Sequence, residues 1–303
     1  MIFTQEQESS IAECWGREYI LKFSQGLELY AEKWRLSDFE FVEYYSINAI
    51  FFCRSEKYGG CVLKMGGGEQ DYEFEAEYSV LREYNGRRYV KAYEADIDIS
   101  AGRKAMLIER AVPGDRLTPE PFEKRLAVFA GLYNGLHVAP ENPGIYKSYA
   151  GLVCEGADDC EKSREDLKGI GAHMQAAKKM CLELCVQYNK NMLLHIDLYG
   201  DNIISGGSGG YRIIDPKGLV GDPIFETGQY IFAECCEDKI EPEKLGALLD
   251  YFEKSLCIPQ DILRKCFYIE AVRFISYYAS RYGADDWDAE RVAFAYASGG
   301  ELF

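Results

Sequence analysis

Asp197 and Asn202 stand five residues apart in the stretch MLLHIDLYGDNIISGGSGGYRIIDPKGLVGDPIFE, and Asp215 follows beyond the run SGGSGG. The segments NII and YRIID that flank this run have strand character, so the run is expected to be a hairpin turn. It would then bring Asn202 and Asp215 to one small volume. A carboxylate with a side-chain amide oxygen is a poor zinc site but suits Mg²⁺, which takes hard oxygen ligands and shares them with water and phosphate. Asp197 is left as a separate carboxylate. Beside a metal–phosphate site it can accept a hydrogen bond from a hydroxyl and take its proton as a phosphoryl group moves. SGGSGG itself does not fit a phosphate cradle, because it neither precedes a helix nor carries a lysine near its end. Gly66–Gly68 leads into an acidic helix start and is expected to be a flexible connector.

Such a site needs a cation to hold phosphates, and Lys64 is the candidate. A lysine inside the otherwise apolar CVLKMG is costly without a partner. Glu77, on the next expected helix, can supply one. A strand lysine, a helix acid and then an Asp–Asn–Asp set follow the order of parts in kinases.

The elements that must carry these residues change character along the chain. Thr4 and Gln7 have capping-box spacing, and Ile20, Phe23, Leu27, Tyr30, Ala31 and Trp34 then share a helical face. FEFVEYY, AIFFCRS, CVLKM, RYVKAYEAD and KAMLIER read as strands, with one helix over DYEFEAEYSVLREY closed by Asn85-Gly86. After Pro113-Gly114 the pattern is helical. Helices are expected around residues 126–136, 167–188, 241–256, 259–282 and 285–298. The reading is an α+β protein with a small antiparallel-sheet lobe, a larger mainly helical lobe and its site in the cleft. Residues 1–37 would be an N-terminal helical extension, 38–112 a nucleotide-binding lobe with hinge, and 113–303 the helical lobe with catalytic loop and acceptor site.

Acids outnumber bases 50 to 34 in 303 residues, a formal charge of −16. That balance disfavours nucleic acid and anionic membranes as partners; it would concentrate a cationic small molecule if the acids cluster around a cleft, and otherwise serves solubility alone. Eleven cysteines without a CxxC pair, and no apolar leader in MIFTQEQESS, suggest free thiols in a reducing cytoplasm, and the expected assembly is a monomer or weak dimer. No apolar run is long enough to span a bilayer.

LLHIDLYGDNI followed by IIDPKGLVGDPIFE resembles the aminoglycoside phosphotransferases, small-molecule kinases with a protein-kinase-like fold. IDPKGLVGDPIFE looks most like their streptomycin and hydroxyurea kinase branch. CVLK, AEYSVLREYNG, AMLIERAVPGDRL and GLHVAP extend the resemblance over roughly residues 40 to 230. It implies Asp197 as catalytic base and Asn202 and Asp215 as Mg²⁺ ligands. Lys64 would contact the ATP phosphates with Glu77 as its ion partner. Ser46 to Ala49, with Asn48 among them, would form the loop over the phosphates, and the Glu109 carbonyl and Ala111 amide would meet the purine. Glu226 would anchor the catalytic loop. Three features depart from the family pattern: Ile196 stands where glycine is common, Tyr199 where histidine is frequent, and YSINAI lacks glycine.

The implied activity is ATP- and Mg²⁺-dependent transfer of a γ-phosphate to a hydroxyl of a small, cationic, aminoglycoside-like molecule. The alternatives are a kinase of a metabolite such as an amino alcohol or modified sugar, and a nucleotide-binding regulatory module without transfer. His195 is expected to hydrogen-bond the catalytic-loop backbone, His173 to be a satisfied core histidine, and His137 to lie near a helix end. Asp222 before Pro223 is a natural N-cap. Lys217 could reach phosphate or substrate, or form a salt bridge. Asp285, Asp286, Asp288 and Glu290 would suit a cation, or simply a solvated helix start.

Overall fold

Thr4 opens the first helix as the spacing predicts. Its hydroxyl accepts from the Gln7 amide at 3.2 Å, and the Gln7 side chain accepts from the Thr4 amide at 3.1 Å. The expected single helical stretch is two helices, α1 (Gln5–Cys14) and α2 (Glu18–Lys33). Gly16 separates them at φ +105°, a conformation that only glycine adopts freely. The structure is a computed structural model that describes residues 3–42, 47–67, 71–162, 168–207, 210–236, 241–282 and 294. Ser46 and the acids at 285, 286, 288 and 290 lie outside the described residues, as does nearly all of the helix expected over 285–298.

Two compact units emerge: residues 1–115 with 205–214, and residues 116–204 with 215–303. The first contains β1 (Leu36–Phe41), β2 (Asn48–Ser55), β3 (Gly59–Gly66), β4 (Ala92–Asp98) and β5 (Arg103–Glu109). They form one antiparallel sheet in the order β1-β2-β3-β5-β4. Its core joins Phe23, Leu27 and Tyr30 of α2 and Ile11 of α1 to Phe51, Leu63, Met65 and Leu107. Residues 1–37 thus share the sheet's own core. Strand residues alternate faces, so Leu63 and Met65 turn toward these helices and Lys64 turns away from them. On that other side lies α3 (Asp71–Tyr84), which ends at Asn85 (φ +46°) and Gly86 (φ +83°).

Gly67 has a packing role rather than that of a flexible connector. A Cβ there would fall 2.2 Å from the Trp15 indole nitrogen, which donates to the Ile47 carbonyl. At the end of this unit's first segment, the Ser205 amide donates to the Asp115 carbonyl at 2.8 Å, and the Asp115 amide donates to the Ser205 hydroxyl at 2.9 Å.

The second unit holds α4 (Phe122–Tyr133), α5 (Tyr149–Lys162), α6 (Lys168–Gln187), α7 (Ile224–Cys236), α8 (Pro242–Leu256) and α9 (Gln260–Tyr282). Its three-stranded sheet has the order β6 (Lys147–Ser148), β10 (Leu219–Gly221), β7 (Met192–Leu194). β8 (Ile203–Gly206) and β9 (Gly210–Ile213) pair as a two-stranded sheet, as the expected hairpin requires, and residues 205–214 of it belong to the first unit. The sequence reading missed α5, whose apolar stripe is carried by Tyr149, Val153 and Ala157 and broken by two glycines and several acids. Phe129 of α4 stacks on Tyr230 of α7 at 3.9 Å, and Tyr149 of α5 stacks on Phe225 of α7 at 4.3 Å. At Gly228 the backbones of α7 and α9 approach so closely that a Cβ would lie 2.3 Å from the Cys266 carbonyl oxygen. No described helix is long and apolar enough to cross a membrane.

Candidate active site

In the first unit, Lys64 of β3 and Glu77 of α3 form an ion pair at 2.7 Å, with 3% and 5% of their surfaces exposed. Pairing in register with Ile50 and Met106 holds the Lys64 backbone in the middle of the sheet. Asn48 begins β2 opposite Gly66. Glu109 closes β5, and its carboxylate accepts from the Lys91 amide at 3.0 Å. Ala111 follows in the turn that Gly114 completes at φ +85°.

In the second unit the chain between β7 and β8 is held by side chains that bond its backbone amides and carbonyls. Glu226, fully buried in the first turn of α7, accepts from the amides of His195 (3.1 Å) and Ile196 (2.7 Å). The His195 Nδ1 accepts from the Asp197 amide at 3.1 Å, and the Lys217 amide donates to the His195 carbonyl at 3.0 Å. His195 therefore serves the loop backbone. These bonds hold Ile196 at φ +58°, a left-handed conformation that is a true outlier for a β-branched residue. Asp215 adopts φ +57° at the far end of the hairpin, where an aspartate is better tolerated.

The Asp197 carboxylate that this turn presents lies between two amides. The Asn202 Nδ2 donates to the Asp197 carbonyl at 2.7 Å and lies 3.4 Å from its Oδ2, while the Gln229 Nε2 lies 3.5 Å from its Oδ1. Burial, with a smaller contribution from Asp215, raises the Asp197 pKa against the opposing charges of Lys217, His195 and Arg273. For Glu226 burial also pushes upward, but His137, His195 and the Ile196 amide outweigh it and hold the group below its ordinary value. His137 Nε2 lies 3.8 Å from the Glu226 carboxylate. Asp222 caps α7, accepting from the Ile224 amide at 3.1 Å. His173 Nδ1 pairs with the Tyr268 hydroxyl at 2.8 Å, in a half-buried rather than fully buried position.

The structure thus brings Asp197, Asn202 and Asp215 together in one unit and Lys64 with Glu77 in the other. Sequence reasoning missed Gln229 and a buried chain beside it. Tyr149 donates to Glu270 at 2.6 Å, and Arg273 grips the other Glu270 oxygen at 2.7 and 2.9 Å. Only one sequence signal pointed to them, polar residues inside apolar helical runs: Gln229 in FETGQYIF, and Glu270 with Arg273 in YIEAVRFI.

A family model described as aminoglycoside/hydroxyurea antibiotic resistance kinase matches residues 54–279. The chain belongs to this family. Streptomycin 6-kinase of Streptomyces griseus is 30% identical over 153 residues, which cover 48% of this chain and 47% of that protein, so the match spans about half the relative's length. Among solved structures, an aminoglycoside phosphotransferase, APH(4)-Ia, bound to ADP and hygromycin B has a TM-score of 0.64 at 16% identity, covering 90% of this chain and 98% of that one. A choline kinase from Cryptosporidium parvum has a TM-score of 0.64 at 12% identity, covering 88% and 89%. LicA, a choline kinase from Streptococcus pneumoniae, gives 0.60 at 14%, covering 91% and 98%. At these identities the likeness shows the fold: this family member has the α+β architecture of those small-molecule kinases.

Proposed function

We propose that the protein is an ATP- and Mg²⁺-dependent phosphotransferase that acts on a hydroxyl of a small cationic acceptor of the aminoglycoside class. The observation that supports it most is the Asp197 carboxylate, flanked by two amide nitrogens on a turn clamped by Glu226. A carboxylate held this way is pre-aimed to accept a hydrogen bond from the acceptor hydroxyl and to take its proton as the new bond to phosphorus forms.

Asn202 and Asp215 suit a hard divalent cation. With its nitrogen committed to the Asp197 carbonyl, the Asn202 side chain keeps its oxygen available as a ligand. Asn202 and Asp215 would hold Mg²⁺, which when bound supplies charge neutralisation on the phosphates. Lys64, held by its ion pair with Glu77, would bind the α- and β-phosphates. Asn48 and Ser46 would cover them, and the Glu109 carbonyl and Ala111 amide would bind the purine. Most of the rate enhancement would then come from positioning and charge complementarity.

The test is mass spectrometry of a mixed acceptor set that contains streptomycin, hygromycin B, hydroxyurea, ethanolamine and choline, incubated with the protein and Mg-ATP. A gain of one phosphate on a hydroxylated cation is expected. Mg-ATP binding without transfer to any acceptor, and without slow ATP hydrolysis, would instead identify a regulatory nucleotide-binding module.

A further inference from the structure

Cys181 and Cys185 stand one turn apart on α6, so their thiols share a face of the helix. Cys181 is 1% exposed, whereas Cys185 is half-buried, and Leu182 and Val186 beside it are 45% and 81% exposed. A small molecule can therefore reach the Cys185 sulfur from the solvent side. The Cys181 thiol donates a hydrogen bond to that sulfur. This bond holds Cys185 below the ordinary thiol range, against burial and the Asp222 charge, and holds Cys181 above it. The proton belongs on Cys181, because the anion is better solvated on the more exposed partner. The negative end of the α6 dipole also opposes a thiolate in this last turn, but a hydrogen bond to an ionised acceptor outweighs it at a half-exposed site. Cys53, Cys61, Cys235 and Cys266 are buried, and burial pushes each of their thiols up, so they pack without reacting. Exposure alone would make Cys14 and Cys257 the reactive thiols, since both are exposed.

We propose that Cys185 is a site of reversible S-thiolation by small-molecule disulfides, with Cys181 as the hydrogen-bond donor that activates it. The Cys185 sulfur attacks one sulfur of the disulfide, a new S–S bond forms, the old one breaks, and the second sulfur leaves as a thiolate. The leaving sulfur is the atom reduced, so no other oxidant takes part, and Cys181 keeps its proton. Cys181 does not resolve the adduct. Side chains one turn apart on a helix have Cβ atoms about 5–6 Å apart, whereas a disulfide needs about 3.5–4.5 Å. The product is therefore a mixed disulfide on Cys185 rather than a bridge between the two residues. Nor do the thiols form a zinc or iron–sulfur site, which takes four ligands, because among the described residues no group of three or more side chains is placed to hold a metal ion. Nothing in this chemistry depends on phosphotransfer.

The test is brief alkylation of the full chain with iodoacetamide at pH 7, with the labelled cysteines ranked by peptide mass spectrometry. Cys185 should react about threefold or more faster than Cys14 and Cys257, because thiolate fraction gains more than nucleophilicity loses as a thiol pKa falls toward ambient pH. Cys181→Ala removes the donor and should lower the Cys185 rate to that of Cys14 or below, with the Cys14 and Cys257 rates unchanged. Incubated with glutathione disulfide, wild type should first gain a single glutathionyl group, on Cys185, that dithiothreitol removes. Cys181 in that adduct should still take a label after denaturation. Alkylation of Cys14 or Cys257 ahead of Cys185 in wild type overturns the proposal, and this result needs no variant to fold. A folded Cys181→Ala variant with an unaltered Cys185 rate does so too. Glutathione disulfide that yields a Cys181–Cys185 bridge, or first modifies another cysteine, equally overturns it.

Discussion

Ile196 shows how much the loop before Asp197 is held by its surroundings. Left-handed backbone costs a residue with a Cβ about 1–2 kcal/mol, yet the Ile196 side chain is 4% exposed and its burial offsets that cost. Alanine at this position would keep the strain and lose the packing, whereas glycine would lose both. Ile196→Gly is therefore expected to be more stable than Ile196→Ala by about 1 kcal/mol in urea denaturation, the reverse of the usual order of these residues. The neighbouring aspartate carries a cost of a different kind. Its pKa is raised in the fold, so the folded state binds its proton more tightly than the unfolded chain does. That favours folding below the ordinary aspartate pKa, and the advantage is lost as pH rises through the raised value. At neutral pH the ionised group is thus a net destabiliser, and Asp197→Asn should raise Tm while lowering kcat by about 10²–10⁴-fold. In the wild type the acid limb of kcat should lie above the ordinary aspartate range. The carboxylate was legible in the sequence because its spacing to Asn202 and Asp215 is local; the strain at Ile196 was not, because a left-handed isoleucine is imposed by Glu226, thirty residues away.

At the level of elements, one ion pair ties β3 to α3. Removing one partner of a buried pair leaves the other charge uncompensated, which costs about 3–5 kcal/mol, whereas replacing both with apolar groups of similar volume is often neutral. Lys64→Met should accordingly destabilise the protein severely in thermal melts, and Lys64→Met with Glu77→Leu should restore most of that stability. Phosphotransfer should stay lost in the double variant, since nothing replaces the ammonium. Recovery of both stability and activity would deny Lys64 a part in phosphate binding. The strands and α3 were visible in the sequence because each carries its own period and its own turn residues, as at Asn85-Gly86. The break at Gly16 and the helix α5 were less visible. One is a single glycine in a continuing apolar stripe, and the other has a stripe of small residues between acids. Gln229 was invisible for a third reason: its meaning comes from Asp197, on another element thirty-two residues away.

For the whole molecule, the net charge of −16 acts on both proposed substrates at once, and with opposite sign. An acidic surface draws in a cationic acceptor such as streptomycin and opposes Mg-ATP, which carries net negative charge. Added salt screens both effects, because the Debye length falls from about 30 Å at 0.01 M to about 3 Å at 1 M. The kcat/KM for streptomycin should therefore fall as ionic strength rises, by about tenfold or more if the acids surround the approach to the site. Over the same range the kcat/KM for Mg-ATP should rise or hold, and that for neutral hydroxyurea should change little. A general inhibition by salt would lower all three together, so the divergence in sign is the informative readout. Three parallel salt profiles would mean that the acidic excess serves solubility alone and that acceptor charge is read only by groups in direct contact with it.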